Sequence, residues 1–245
     1  MADSLHPRHD KAIHQFSFVD ALVAGLFEGA FTASEIRRHG TFGLGCEDAL
    51  DGELVIVDGE IFVCRGDGSV LPLGEHDRLP FAEVAHFEPR FSYELVDALN
   101  LRDFDALIAE LVPSQNLFYA VRFDGEFDRM TVRDAVRQQA PYRGLADAVK
   151  DQHEATHSRV SGTIVGFKGP EVFQGLSVAD FHLHFLDDAR SFGGHVLDFV
   201  ATQGTLQIEA FAGFNLHLPQ VASYLDAELD SADTDESIRA AEGGR

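Results

Sequence analysis

Two histidines in Phe181-His182-Leu183-His184-Phe185 and a third in Ser191-Phe192-Gly193-Gly194-His195-Val196 have the types and spacing to do chemistry. Residues i and i+2 of a strand point to one face, so His182 and His184 converge on one point. The stretch from Asp187 to Gly194 reads as a hairpin loop that returns His195 to a neighbouring strand, with two glycines that allow close backbone approach. Three imidazoles without a fourth protein ligand describe a catalytic zinc-type site, with a coordination position left open for water or substrate. One strand histidine alone is ordinarily a partly buried aromatic with a satisfied hydrogen bond. It is the pair and the returning third residue that point to metal. His217 offers a further ligand of the same type, but at a strand end ahead of Pro219 it reads as structural.

Carboxylates offer no comparable pattern, because the chain has 41 acidic residues. Glu53, in Leu50-Asp51-Gly52-Glu53-Leu54, opens a strand, and its spacing does not separate it from surface glutamates. Arg133 is one arginine among several. Glu242, in Ala240-Ala241-Glu242-Gly243-Gly244, lies in a segment whose composition reads as disordered.

The elements that must position these residues follow from hydrophobic period and turn signals. Residues 1–15 are polar and carry three histidines, which predicts a mobile N-terminal arm without the apolar stretch of a secretory signal. Val19 to Ala30 and Ser34 to His39 have helical spacing. Glu53–Val57 and Glu60–Cys64 flank Asp58-Gly59, a favoured type I′ hairpin turn. Val84 to Leu95 reads as a strand interrupted at Pro89. Asn100 is a helix N-cap ahead of the stripe Phe104, Leu107, Ile108 and Leu111, which Pro113 ends. A second hairpin is expected from Leu117 to Phe123, through a turn at Asp124-Gly125, and back through Arg133.

Residues 141–157 are polar and read as a connection with a short helix from Leu145 to Lys150. Strands then follow at 160–167, 176–186, 195–200, 205–210 and 215–218, with a helix over 219–229 and an acidic tail over 230–245. The plan is an arm (1–15), an N-terminal sheet-and-helix part (16–140), the connection (141–157), a C-terminal sheet part carrying the histidine hairpin (158–229), and the tail. The fold class is sheet-rich α/β or α+β.

Composition narrows the function. A net charge of −22 argues against nucleic acid, whose phosphates need a cationic face, and disfavours an anionic membrane surface. No apolar run reaches the length of a membrane span. Cys46 and Cys64 form no CxxC pair, so a disulfide framework is not expected and a reducing cytoplasm fits.

Further segments add a resemblance. His39-Gly40-Thr41-Phe42-Gly43-Leu44-Gly45, Leu50-Asp51-Gly52-Glu53-Leu54, Pro113-Ser114-Gln115-Asn116-Leu117-Phe118-Tyr119-Ala120 and Ser161-Gly162-Thr163-Ile164-Val165-Gly166-Phe167 precede the two histidine segments. Together, and in this order, they make the chain resemble the bacterial α-acetolactate decarboxylases over nearly all of its length after the first fifteen residues. The resemblance implies conversion of 2-acetolactate to acetoin and CO2 with one zinc ion held by His182, His184 and His195. It places the family's active-site glutamate on Glu53, its arginine on Arg133 and a second glutamate on Glu242. It also implies two packed parts with mixed β-sheets, a metal near the cleft between them, and a homodimer. The family often has a threonine where this chain has Cys46.

The residues suit that chemistry. Acetolactate is a β-keto acid, and loss of CO2 leaves an electron pair that delocalises into the ketone as an enediolate. Zinc is a Lewis acid for the developing charge, and three neutral histidines leave it dipositive. Arg133 would orient the substrate while facing the enediolate oxygens, and Glu53 or Glu242 would deliver the proton. If Glu242 reaches the site, the tail acts as a lid. A cupin-like metal oxygenase also carries HxH on a strand, but it needs a glutamate where this chain has Asp187 and Asp188, and a more distant third histidine. A non-catalytic metal- or metabolite-binding module would keep the ligands, though Glu53 and Arg133 alongside them argue for an enzyme.

Overall fold

Asp58 and Gly59 both take positive φ, 53° and 84°. This is the type I′ geometry whose twist matches a hairpin. The turn closes β4 (Glu53–Val57) onto β5 (Glu60–Cys64), with Val57 opposite Glu60. The structure, a computed structural model, describes residues 5–229.

The strands before and after this hairpin are β1 (Arg8–Phe16), β2 (Phe31–Thr32), β3 (Phe42–Cys46), β6 (Val70–Pro72), β7 (Arg78–Leu79), β8 (Phe81–Ala85), β9 (Phe91–Leu95), β10 (Leu99–Asn100), β11 (Phe118–Asp134), β12 (His153–Gly169), β13 (Asp180–Asp187) and β14 (Gly193–His217). Helices α1 (Val19–Val23), α2 (Ala33–Arg37), α3 (Leu101–Leu111), α4 (Leu145–Ala148) and α5 (Ala222–Leu225) lie between or after them. The result is a mixed, sheet-dominated α+β fold. One twelve-stranded sheet runs β11-β12-β13-β14-β1-β8-β3-β4-β5-β6, with β9 and β10 added on β14. β11 also pairs with β14, so β11 to β14 form a closed cycle of hydrogen-bonded neighbours.

Strand alternation sorts side chains into three cores. On β4, Leu54 and Ile56 face a core with Ile36 of α2, whereas Val55 and Val57 face the opposite way. On β11, Ala120 shares that second core with Val55, whereas Val121 and Phe123 join Phe104 and Ile108 of α3 in a third. Two halves of one sheet therefore pack face to face, with a helix outside each. The shared middle core is where residues of both halves meet. Asn100 accepts from the Asp103 N–H at 2.9 Å and starts α3, as its sequence predicts.

Four expectations are corrected. The 1–15 arm is a strand from Arg8 onward, lying inside the sheet with β14 parallel on one side and β8 antiparallel on the other. The helix from Val19 stops at Val23, because Gly25 takes φ 83° and passes so close to Arg143 that a Cβ would stand 2.6 Å from its carbonyl oxygen. There is no turn at Asp124-Gly125. β11 runs straight through, and Gly125 sits beside Gly162 of β12 and Gly204 of β14. A Cβ on Gly125 or Gly204 would meet the Phe123 ring at 2.5 or 2.6 Å, and one on Gly162 the Phe185 ring at 2.5 Å. The glycines make room for aromatic rings laid on the sheet, a device of curved sheets. Finally, the 141–157 connection holds α4 but does not divide the sheet, since β11 of the first part pairs with β12 and β14 of the second. The 230–245 tail lies outside the described residues. Among those described, no helix is long and apolar enough to cross a membrane.

Candidate active site

β13 and β14 pair antiparallel with His184 opposite His195, Phe185 opposite Gly194 and Leu186 opposite Gly193. The Asp187 carboxylate builds the connecting loop. It accepts from the N–H of Ser191 at 2.6 Å, the N–H of Phe192 at 2.9 Å and the Ser191 hydroxyl at 2.9 Å. That hydrogen bonding commits Asp187 to the turn, in the window where a cupin-like site would need a ligand. Both glycines are required by close approach: a Cβ on Gly193 would stand 2.4 Å from the Phe185 carbonyl oxygen. One on Gly194, whose φ is 135°, would stand 2.5 Å from the Asp134 carboxylate.

Phe181, Leu183 and Phe185 turn into the α3-side core, so the alternating His182 and His184 turn into the space between the sheet halves. The three rings stand 5.1 to 5.4 Å apart centre to centre, and their ligand atoms lie within 4.8 Å of one another. Their exposures of 6, 0 and 2 % leave them almost wholly shielded from solvent. His184 Nδ1 lies 2.8 Å from the Leu54 carbonyl oxygen. A carbonyl only accepts, so Nδ1 carries the proton and Nε2 keeps its lone pair, the outer contact that orients a ligand imidazole. Burial, and secondarily the Arg133 charge, hold His182 down to about 3. It is therefore neutral and competent as a ligand at pH 7.

β4 brings in the first carboxylate. Glu53 follows Gly52, whose φ of 112° and close approach to the Cys64 carbonyl fit glycine, and it pairs across to Cys46 and Cys64. Glu53 Oε2 stands 3.7 Å from His184 Nε2, while its neighbour Leu54 holds the other side of the same ring. Arg133 arrives on β11 opposite His195 on β14. It is 4 % exposed and its Nη1 donates to Gln152 Oε1 at 3.1 Å. Glu53, Arg133, His182 and Cys46 line one small pocket of about 30 Å³, otherwise walled by apolar side chains such as Leu50 and Phe81. The structure thus brings together five of the six site residues expected from sequence. The sixth, Glu242, lies outside the described residues.

Two neighbours escaped the sequence reading. Gln152 sits in the segment taken as a connection, and nothing in its context marks it. Asp134 is buried beside Arg133 and is raised to about 8 by that burial, with Arg133 pulling the other way. Only the fold reveals it, because it packs against Gly194.

The family model for alpha-acetolactate decarboxylase matches residues 13–231. The chain belongs to that family. An alpha-acetolactate decarboxylase of Methylococcus capsulatus is 38 % identical over 242 residues, covering 98 % of this chain and 93 % of that one. One from Bacillus subtilis is 39 % identical, covering 94 % and 91 %. The crystal structure of alpha-acetolactate decarboxylase from Bacillus subtilis strain 168 superposes with a TM-score of 0.92 at 38 % identity, covering 94 % of this chain and 99 % of that one. At this likeness the family fold spans 94 % of the chain, and the family match includes the histidine hairpin.

Proposed function

We propose that the chain is a zinc-dependent decarboxylase that converts 2-acetolactate to acetoin and CO2 at the pocket between the sheet halves. The observation that carries this reading is the convergence of three buried imidazoles, one of which, His182, lines a single apolar-walled pocket with Glu53 and Arg133. His182, His184 and His195 would hold the ion, and their all-nitrogen donor set suits zinc. Bound there, zinc supplies Lewis-acid stabilisation of the negative charge that builds as CO2 leaves.

The protein's own groups do the rest. Arg133 binds the substrate carboxylate and turns it out of the plane of the ketone, so that the breaking bond overlaps the carbonyl π system. Gln152 holds the guanidinium in place from the opposite side. Leu50 and Phe81 keep bulk water away, which favours the small neutral CO2 over its charged precursor. Glu53, beside His184, delivers the proton to one face of the enediolate and sets the handedness of acetoin. Glu242 is the alternative donor. The same reading places the enzyme in the cytoplasm as a homodimer, for which light scattering should give twice the 26.9 kDa chain mass.

The test is acetoin formation from racemic acetolactate by zinc-loaded protein, with His184→Ala as the paired control. Rapid acetoin release that the substitution abolishes is the expected result. Folded, zinc-bound protein that releases no acetoin would remove this substrate.

A further inference from the structure

A second group of three histidines lies at the other end of β14. His14 of β1, His39 at the exit of α2 and His217 at the last position of β14 offer ligand atoms that all lie within 4.8 Å of one another. Ring centres are 4.6 Å apart for His14 and His39, 5.3 Å for His14 and His217, and 4.9 Å for His39 and His217. The residues are half-buried, so an ion could reach them from solvent.

From this geometry we infer a second metal site, formed by His14, His39 and His217, that takes a divalent ion of borderline softness such as zinc, nickel or copper.

Ligand nitrogens about 2.0–2.1 Å from a tetrahedral ion stand roughly 3.3 Å from each other. His14 Nδ1 and His217 Nε2 are already 3.0 Å apart. Ring rotation of half-buried side chains is enough to bring in the third nitrogen. That close nitrogen pair shares one proton, which an ion would replace. Phe16 stacks on the His217 ring at 4.3 Å with planes 9° apart and fixes its plane. Burial and the surrounding imidazoles of His39, His217 and His86 hold His14 down to about 4, so it presents a lone pair at neutral pH. Glu35 acts on His217 with the opposite sign and contributes negative charge near the site. Imidazole donors select zinc, nickel and copper over magnesium or calcium.

The site has a structural consequence. β1 runs parallel to β14 with Phe16 opposite His217, so an ion here would tie the first strand, the exit of α2 and the last residue of β14 into one unit. Unlike the hairpin site, it holds no substrate-binding residue and lines no pocket with Glu53 or Arg133, so it acts as a clip.

Equilibrium dialysis against zinc distinguishes the two sites. The full chain should bind two equivalents, His39→Gln one, His184→Ala one, and the double variant none. Zinc should raise the Tm of His184→Ala protein but not that of the double variant. If His39→Gln does not fold, His217→Asn carries the same comparison. A single equivalent in the full chain, lost in His184→Ala, would overturn the second site while leaving the decarboxylase reading intact. Two equivalents that survive both His39→Gln and His217→Asn would equally overturn it.

Discussion

His184 shows how one side chain is prepared to bind a metal: the Leu54 carbonyl accepts a hydrogen bond from its Nδ1 and leaves the Nε2 lone pair for the cluster it forms with His182 and His195. The three histidines were readable in sequence because strand alternation is a local rule. Glu53 and Arg133 were not, because their importance depends on β4 and β11 meeting β13 and β14 from distant parts of the chain. Only the family resemblance singled them out. Glu53→Gln keeps the shape of the side chain and removes the proton. Loss of a general acid costs about 10²–10⁴-fold in kcat. Zinc content should be unchanged, and chiral chromatography of the acetoin should show a loss of handedness. Retention of both rate and chirality would assign the proton to another group. Arg133→Gln should act differently, raising KM as well as lowering kcat, if this charge receives the substrate carboxylate as proposed.

At the level of elements, local turn chemistry was a good guide where a turn stands alone and a poor one where the sheet overrides it. Asp58-Gly59 turns, whereas Asp124-Gly125 sits in mid-strand beneath the Phe123 ring. The two dipeptides are alike, and only the facing glycines at 162 and 204 distinguish them. In the histidine hairpin the backbone is equally constrained. Gly194→Ala places a methyl at φ 135° against the Asp134 carboxylate. It should cost about 1–3 kcal/mol by denaturant unfolding and lower zinc affinity by shifting His195; unaltered stability would show that β11 yields there. Another element-scale prediction concerns Glu83, buried on β8 between Gln15 of β1 and Leu44 of β3. Burial raises its carboxyl to about 8 from an ordinary 4.5, against a hydrogen bond with Ser177. A raised folded-state pKa means the fold favours the proton. That contribution is complete below about pH 4.5 and is lost as pH rises through about 8. Glu83→Gln, which stays neutral, should therefore gain on the wild type between pH 5 and pH 9, by an amount on the order of a few kcal/mol. Parallel stability curves for the two proteins would show that the carboxyl is not protonated in the folded state.

For the whole molecule, the family resemblance implies two packed parts, but the sequence does not show which strands make up each half of the sheet or what joins them. The polar stretch at 141–157 looked like the joint, yet along the pairing order the link between β14 and β8 is β1. A central strand ordinarily reads as an apolar run, and β1 does not, because its polar side chains reach partners on distant segments. Lys11 pairs with Glu209 at 2.9 Å and Glu88 at 3.1 Å, and Gln15 donates to the carbonyls of Ser17 and Leu176. Its apolar residues, Ile13 and Phe16, are wholly buried, in the middle core and the α2-side core respectively. A chain that begins at Ser17 would lose both halves' shared neighbour and expose the backbone of β14 and β8. Ile13→Pro removes only a single backbone donor and adds a clash, at a cost of about 3 kcal/mol or more in a sheet interior. Scanning calorimetry should show one cooperative transition for the full chain, a lowered one for Ile13→Pro, and none or two separate ones for the truncated chain. A truncated chain melting in one step at the original Tm would mean that the middle core alone holds the halves together, and β1 would then be the dispensable arm its composition suggests.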